Sequence, residues 1–559
     1  MENEIEESVE TAKQHPVRNW LLALVVLHIL ISFRFPWDEE IMYTMPLRLS
    51  SDLVLLYGIG ILLCFICRSS RIPAVIITAG ILAAVIFRGA LTMMPAFYGK
   101  PLNIYNDTLM LPGLVHLLLL HQSTAASVVW VVTGVLLTAL SIYGLFRLTS
   151  FTFGNLPKES PGRIGWVPGL VLILFGAVLV TPRGVFWHNK VQQSVLTLLP
   201  NELTKSVFEW REHASYEKSL PEISEELKDK SHGLDLLGDS DVYLLFLESY
   251  GRLLYRDSTA KAQLELLAAD LEQKLSTAGF YSCSSFATSA VYGGNSSLAH
   301  AQFLSGTGVR SKHHHATLLA SDVVALPHHF NAAGYRTINA QPAMTEAWPE
   351  GKFFGFTEDV FYEDFEYTGH TYHWGFMPDQ YALAHLLENE IRKSTQPLFL
   401  QYVSVTSHAP FSMIPPYFDD WSVALEDQTF NRYPEKTYPI DWLHYAGHPD
   451  AEAAYIDSIH YTLKTMVDFT TQLERPSMVI IIGDHQPPGI GKLSDNDYSY
   501  EVPIHILSNR VELLTGFGRT GFQEGLIPSD DLAPFDLSVF APSFVAGFSS
   551  QTPPPESDQ

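Results

Sequence analysis

Three short apolar runs end in residues able to hold a cation. Residues 241–247 (DVYLLFL) lead into Glu248-Ser249-Tyr250-Gly251, residues 398–403 (LFLQYV) lead into the stretch closing on His408, and residues 477–482 (SMVIII) lead into Gly483-Asp484-His485. Runs of this length, rich in strand formers, predict buried parallel strands, and ligands of open α/β sheets bind just outside the carboxyl ends of such strands. Carboxylate oxygens and imidazole nitrogens make a mixed hard and borderline donor set that suits manganese, magnesium or zinc. One Gly-Asp-His alone is weak, because Asp and His often close a strand as turn residues. Three such ends in one sheet predict a divalent metal site.

A group-transfer site also needs a nucleophile. Residues 280–307 are crowded with hydroxyls, and within them Ser296 and Ser297 follow Gly293-Gly294-Asn295 and precede an apolar, helix-like stretch. Two readings stand side by side. A hydroxyl at a helix N-terminus can serve only as an N-cap. The same place aims backbone amides and the helix dipole at a bound phosphate, and a metal on the hydroxyl would lower its pKa and make it nucleophilic.

The elements that must carry these residues alternate. Helical patterns over 262–278, 379–393 and 451–473 separate the apolar runs. That alternation predicts a doubly wound, mostly parallel α/β sheet with helices on both faces. Other histidines are set apart from the site. His313, His314 and His315 cannot all face one ion on a regular element and read as a surface loop. His370 and His373 flank an aromatic stretch ending at Trp374 and read as a packed loop.

The first third of the chain is different. Five apolar segments, 20–35, 53–67, 72–97, 125–146 and 165–181, approach the roughly 20 residues a membrane helix needs. Residues 109–120 are apolar but short and contain His116, so they read as a re-entrant or interfacial piece. Glu2, Glu4, Glu6 and Glu7 precede the first segment and no small-residue cleavage site follows it, unlike a cleavable signal peptide. Lys13, Arg18, Arg68, Arg71, Arg147, Lys158 and Arg163 fall on one side of a five-span arrangement, against Arg34, Arg48 and Lys100 on the other. The positive-inside rule then puts the N-terminus in the cytoplasm and everything after Thr181 outside. Arg88 lies within the third segment, where it either snorkels or pairs locally, or contacts a lipid phosphate. Cys64 and Cys67 read as plain membrane-helix cysteines, and Cys283 alone builds no disulfide framework. Residues 187–199 could lie at the interface, and 221–230 are charged and helical in character. The net charge of −25 argues against a nucleic-acid partner.

With these residues in place the chain resembles the lipoteichoic acid synthase-like, phosphoglycerol-transferring branch of the alkaline phosphatase/sulfatase superfamily. The matching stretches are LLFLESYG at Glu248, Gly294-Asn295-Ser296-Ser297, Ser407-His408-Ala409-Pro410-Phe411, and Gly483-Asp484-His485 with the AYIDSIHY helix of residues 454–461 before it. The resemblance implies a five-helix transmembrane domain plus an α/β sulfatase-like domain. The implied layout is a leader (1–18), membrane domain (19–182), connector (183–238), extracytoplasmic catalytic domain (239–547) and disordered tail (548–559). It implies a divalent metal, Mn2+ before Mg2+ or Zn2+, on Glu248, Ser296, Asp484 and His485. Ser296 is the implied nucleophile with Ser297 as fallback, His408 lies near the transferred group, and Asn295, Ser297 and Trp348 line the substrate. The implied reaction moves a phospho-headgroup from a phospholipid donor to an envelope glycan or lipid acceptor. The setting is a bacterial cytoplasmic membrane, with the catalytic domain periplasmic or otherwise extracytoplasmic.

Two departures bear on the headgroup. The family's Trp-Asn-Arg is met here by Trp348-Pro349-Glu350, and Asn295 stands where many members have lysine. Ordinary sulfatases fit less well, since Cys283-Ser284-Ser285-Phe286-Ala287 lacks the Pro and Arg of Cys-x-Pro-x-Arg. Phosphoethanolamine transferases usually carry several disulfides. A hydrolase using the same site, and a scaffold or sensor with a degenerate domain, are the remaining alternatives.

Overall fold

The computed structural model describes residues 2–32, 48–67, 70–98, 102–110, 124–154, 166–180, 191–192, 194–229, 233–346, 348, 350–440, 445, 447–490, 500–517 and 521–550. The chain forms two compact units, residues 1–95 with 101–210, and residues 96–100 with 211–559.

In the first unit every predicted apolar segment is helical where described: α1 (Glu2–Ser32), α2 (Ser51–Cys67), α3 (Arg71–Tyr98), α4 (Thr124–Gly154) and α5 (Val167–Val180). Two stretches, Arg71–Met94 and Ala126–Gly154, are long and apolar enough to cross a membrane, while Val17–Ser32, Ser51–Cys67 and Val167–Val180 are apolar but shorter. Small residues let α2 and α5 approach closely. A Cβ on Gly58 would lie 2.9 Å from the Gly169 carbonyl oxygen. Cys64 and Cys67 are free thiols. Most of the 109–120 stretch lies outside the described residues.

Arg88 pairs locally, the first of the two readings. Its Nη2 donates to Asp52 Oδ2 at 2.5 Å, with both side chains buried. Asp52 also accepts from Ser194 Oγ (2.5 Å) and from the Val195 amide (3.0 Å). A carboxylate thus occupies the guanidinium that the alternative reading gave to a lipid phosphate. In the predicted connector, one 35-residue helix, α6 (Val195–Asp229), joins the end of the predicted interfacial stretch to the charged one.

The second unit is built on one nine-stranded sheet: β1 (Asp241–Leu247), β2 (Tyr281–Thr288), β3 (Arg336–Gln341), β4 (Glu358–Phe361), β5 (Leu398–Val403), β6 (Ser477–Gly483), β7 (Glu501–Ser508), β8 (Gln523–Glu524) and β9 (Phe535–Asp536). The order is β8-β2-β7-β6-β1-β5-β3-β4, with β9 pairing β2. The run from β6 through β1, β5 and β3 to β4 is parallel, and β7 is antiparallel to both β6 and β2. The three predicted strands are therefore the adjacent centre of the sheet.

Strand alternation puts apolar side chains on both faces. Tyr243, Leu245 and Leu247 join one core with α7 (Ser258–Thr277). Val242, Leu244 and Phe246 join the other with α8 (Ser296–Ser305), α9 (Lys312–Leu319) and α10 (Leu326–Ala332). Helices α11 (Asp379–Leu386) and α12 (Ala451–Thr471) cover the first face, and α13 (Phe540–Phe548) the second. This is the predicted doubly wound arrangement, with an antiparallel edge that sequence reasoning missed. The histidine run is corrected from a loop to α9, and His314 is buried against Tyr216 with ring centroids 4.3 Å apart. Residues 551–559 lie outside the described residues.

Candidate metal and nucleophile site

Parallel register brings the ligand types together. Leu247 pairs with Gly483, and Phe246 with Val403, so β6, β1 and β5 end side by side. Glu248 and Asp484 are the next residues on their strands. Gly483 is required where β6 ends, because a Cβ there would lie 1.9 Å from the Tyr250 carbonyl oxygen. The Glu248 amide donates to Ser404 Oγ at 3.0 Å, and the Ser249 amide donates to Asp484 Oδ1 at 2.8 Å, tying the three strand ends together.

Ser296 arrives from the other side. Gly293, Gly294 and Asn295 have φ of +63°, +91° and +62°. Glycine and asparagine tolerate this left-handed region best, and they turn the chain into α8. Asn295 is the N-cap and makes no side-chain capping bond. The Ser296 hydroxyl instead donates to Glu248 Oε2 at 3.0 Å and lies 3.2 Å from His485 Nε2. The N-cap reading of Ser296 therefore gives way.

Glu248, Asp484 and His485 present ligand atoms within 4.8 Å of one another, and all three residues are buried. The His485 Nε2 atom is 3.2 Å from Glu248 Oε1 and 3.6 Å from Asp484 Oδ2. The other ring nitrogen, Nδ1, donates to the Gln486 carbonyl at 2.8 Å, so Nε2 is the nitrogen that faces the carboxylates. Asp484 Oδ2 is buried without a hydrogen-bond partner among the described residues.

The electrostatics tell the same story. Burial opposes charge on Glu248, but His485 and then His408 hold its carboxyl well below the usual range. Burial and then the Glu248 charge push Asp484 up to about 8. His485 is pushed up to about 9, because Asp484 and Glu248 outweigh the burial that disfavours its charge. Two carboxylates repel across one imidazole. A buried carboxylate oxygen without a hydrogen-bond partner among the described residues, a second carboxylate, an imidazole nitrogen and a hydroxyl are the donor set a divalent cation needs, so these residues fit one.

His408 sits close enough to lower Glu248. Its Nδ1–H donates to the Ala409 carbonyl at 2.8 Å, so Nε2 is the nitrogen left for chemistry. Trp374 stands edge-on to this ring, centroids 6.1 Å apart, and its Nε1–H donates to the same carbonyl at 3.1 Å. Ser297 accepts from Lys312 Nζ at 3.1 Å. Trp348 stacks on Phe354 at 5.3 Å, and none of the cluster's hydrogen bonds involves it. His370 Nε2 lies 4.0 Å from Glu435, apart from the cluster.

Sequence reasoning missed Ser249, Ser404, His300, Lys312 and Trp374. The first two sit beside strand ends already singled out and could have been found there. His300 is on α8, one turn past Ser296, with its ring 4.0 Å from Phe246. Burial pushes it down to about 4, so it is neutral. Lys312 carried no sequence signal, and Trp374 stood out only as the end of an aromatic stretch. Cys283 lies inside β2, and burial pushes its thiol up to about 12, which makes it a poor nucleophile.

Comparison with known proteins supplies a family. The family model described as Sulfatase matches residues 242–540, just over half of the chain. No curated protein matches. Among solved structures, the lipoteichoic acid synthase LtaP of Listeria monocytogenes is similar at 13% identity, covering 59% of this chain and 79% of that one, with a TM-score of 0.36. The Streptococcus pyogenes phosphoglycerol transferase GacH, in complex with sn-glycerol-1-phosphate, is similar at 13% identity over 59% of this chain and 84% of its own, TM-score 0.37. The Neisseria meningitidis lipooligosaccharide phosphoethanolamine transferase EptA is similar at 12% identity over 94% of this chain and 96% of its own, TM-score 0.41.

Proposed function

Because the chain belongs to the sulfatase family, of the alkaline phosphatase superfamily, we propose that it is a membrane-anchored, metal-dependent transferase. It moves a phosphoglycerol-type headgroup from a phospholipid to an envelope glycan or lipid acceptor through a phosphoserine at Ser296. The membrane part is proposed to span five times, with the N-terminus cytoplasmic and the catalytic domain outside. One observation carries the reading: Ser296 Oγ, at the start of a helix, lies 3.0 Å from Glu248 Oε2 and 3.2 Å from His485 Nε2, and the Asp484 Oδ2 atom 3.6 Å from that nitrogen has no hydrogen-bond partner among the described residues.

A divalent cation held by Glu248, Asp484, His485 and Ser296 Oγ, with manganese as the proposed ion, would lower the serine pKa so that its proton is released to solvent, and would offset charge on the phosphoryl oxygens. The Ser296 and Ser297 amides, at the very start of α8, lack intrahelical acceptors and face the same group. Lys312, hydrogen-bonded to Ser297, holds a further phosphoryl oxygen. In the first step the Ser296 Oγ–P bond forms as the bond from phosphorus to the diacylglycerol oxygen breaks. His408 gives the leaving oxygen its Nε2 proton. In the second step His408 takes the proton of the acceptor hydroxyl, the acceptor–P bond forms, and Ser296 is released. Membrane anchoring presents the lipid donor at high effective concentration, which favours transfer over the action of a soluble hydrolase.

The test is Ser296→Ala in the full chain, reconstituted with manganese and headgroup-labelled phosphatidylglycerol. The wild type should release diacylglycerol and carry one glycerol phosphate on Ser296. The variant should do neither, while keeping its fold and its metal. Undiminished diacylglycerol release by Ser296→Ala sinks the assignment.

A further inference from the structure

Helix α6 changes character part-way along its length. Leu196, Leu203, Val207 and Trp210 are 49–59% exposed. At 3.6 residues per turn they fall within about 60° of one another and form a single outward apolar stripe. The inward side of the same turns carries charge. Glu202 is buried and accepts from Lys205 Nζ at 2.7 Å, and Glu209 accepts from Asn106 Nδ2 at 3.1 Å. This is the reverse of a helix in water, which hides its apolar face.

Past Trp210 the polarity becomes ordinary. Arg211, Glu212, Glu217, Lys218 and Glu222 are exposed. Tyr216 and Leu220 turn inward and join the core that also holds the apolar residues of α8. The Tyr216 hydroxyl lies 2.9 Å from Thr307 Oγ1, and His213 Nε2 lies 2.8 Å from Thr317 Oγ1.

We propose that the first four turns of α6 lie against lipid and that the helix leaves the bilayer at Trp210–Arg211. The occupant of the stripe is the membrane, for two reasons. The start of α6 is fastened to the membrane helices, since Asp52 of α2 binds the Val195 amide and Val195 packs on the core of α1 to α4. Two apolar helices of the same unit expose side chains of the same kind to a similar degree: Val128, Leu137 and Leu140 of α4, and Leu174 and Val178 of α5. A tryptophan followed by an arginine is what a helix presents at the headgroup level. The inference goes beyond the transfer reaction and rests only on the chain being membrane-embedded.

Spin labels test it in the full chain, in vesicles of phosphatidylcholine and phosphatidylglycerol. The background is Cys64→Ala, Cys67→Ala, Cys283→Ala, with single changes Leu196→Cys, Leu203→Cys, Val207→Cys and Trp210→Cys set against Arg211→Cys, Glu217→Cys and Lys218→Cys. Leu137→Cys on α4 reports membrane insertion itself. The expected result is a ratio of oxygen to nickel-chelate collision several-fold higher in the first group than in the second, and similar to that at residue 137. Free nickel access at 203 and 207 with lipid-like values at 137 overturns the inference alone. Nickel access at 137 as well overturns membrane embedding. Exclusion of both reagents at 203 and 207 shows a protein occupant, such as a second copy, and overturns the inference too. The unaltered protein gives an independent readout: a photoactivated diazirine phospholipid should mark residues 195–210 and spare 211–229, and the reverse pattern overturns the proposal.

Discussion

Each compact unit buries a charge cluster, and the two are completed differently. In the membrane unit, Asp52 receives the Arg88 guanidinium, the Ser194 hydroxyl and the Val195 amide. In the catalytic unit, two carboxylates share one imidazole and Asp484 Oδ2 has no hydrogen-bond partner among the described residues. Taking charge out of water costs several kcal/mol per ion unless partners restore what water supplied. The first cluster supplies its carboxylate with a guanidinium, a hydroxyl and an amide from within the chain. The second leaves Asp484 Oδ2 without a hydrogen-bond partner among the described residues, a place that the proposed function gives to a cation.

The largest expected effect separates activity from stability. Asp484→Asn keeps the acceptor for the Ser249 and His485 amides and removes the repulsion with Glu248. Transfer should fall to background and metal binding should be lost, yet the metal-free protein should melt at a higher temperature than the metal-free wild type. A lower melting temperature would show that Asp484 is structural, as Asp52 is.

Arg88→Met should do the opposite. Leaving Asp52 buried without its cation should cost about 3–5 kcal/mol of stability. Activity per folded molecule should hold. Adding Asp52→Asn should recover much of the loss, and a double variant no more stable than Arg88→Met would break the comparison.

The smallest effect is acid sensitivity. Burial pushes His314 and His329 down to about 4 and His505 to about 3. An unfolded histidine titrates near 6.5. Because the folded values lie below that, these residues contribute stability that is fully present above about pH 6.5 and is lost as pH falls toward about 4. Hydrogen exchange corrected for intrinsic rate should show β7 and α10 losing protection between pH 7 and 4.5 while α2 and α3 keep theirs. Parallel loss in all four elements would remove the distinction between the units.

Much of the centre of the molecule was legible from sequence. The three strands that carry Glu248, His408 and Asp484 are continuous apolar runs, so their burial on both faces was written locally. The apolar helices of the first unit were equally visible. The antiparallel partner β7 was not, because a strand such as EVPIHILS contains proline and histidine and sits among turn residues. β2 was hidden because its hydroxyls are satisfied by distant acceptors, such as the Gly521 carbonyl for Ser285. α9 was read as a loop because a histidine run has no apolar period until Tyr216 stacks on one of the rings.

By itself the sequence determined which residue types were available at strand ends, and that a serine pair followed a flexible Gly-Gly-Asn turn. Local spacing and hydrophobic period suffice for that, since both act within one element. Only tertiary structure decided that Ser296 meets Glu248 across 48 residues and His485 across 189, that Arg88 answers Asp52, and that Lys312 reaches Ser297. Those contacts depend on parallel register and on how helices pack over the sheet, which are long-range choices that no single stretch of chain encodes.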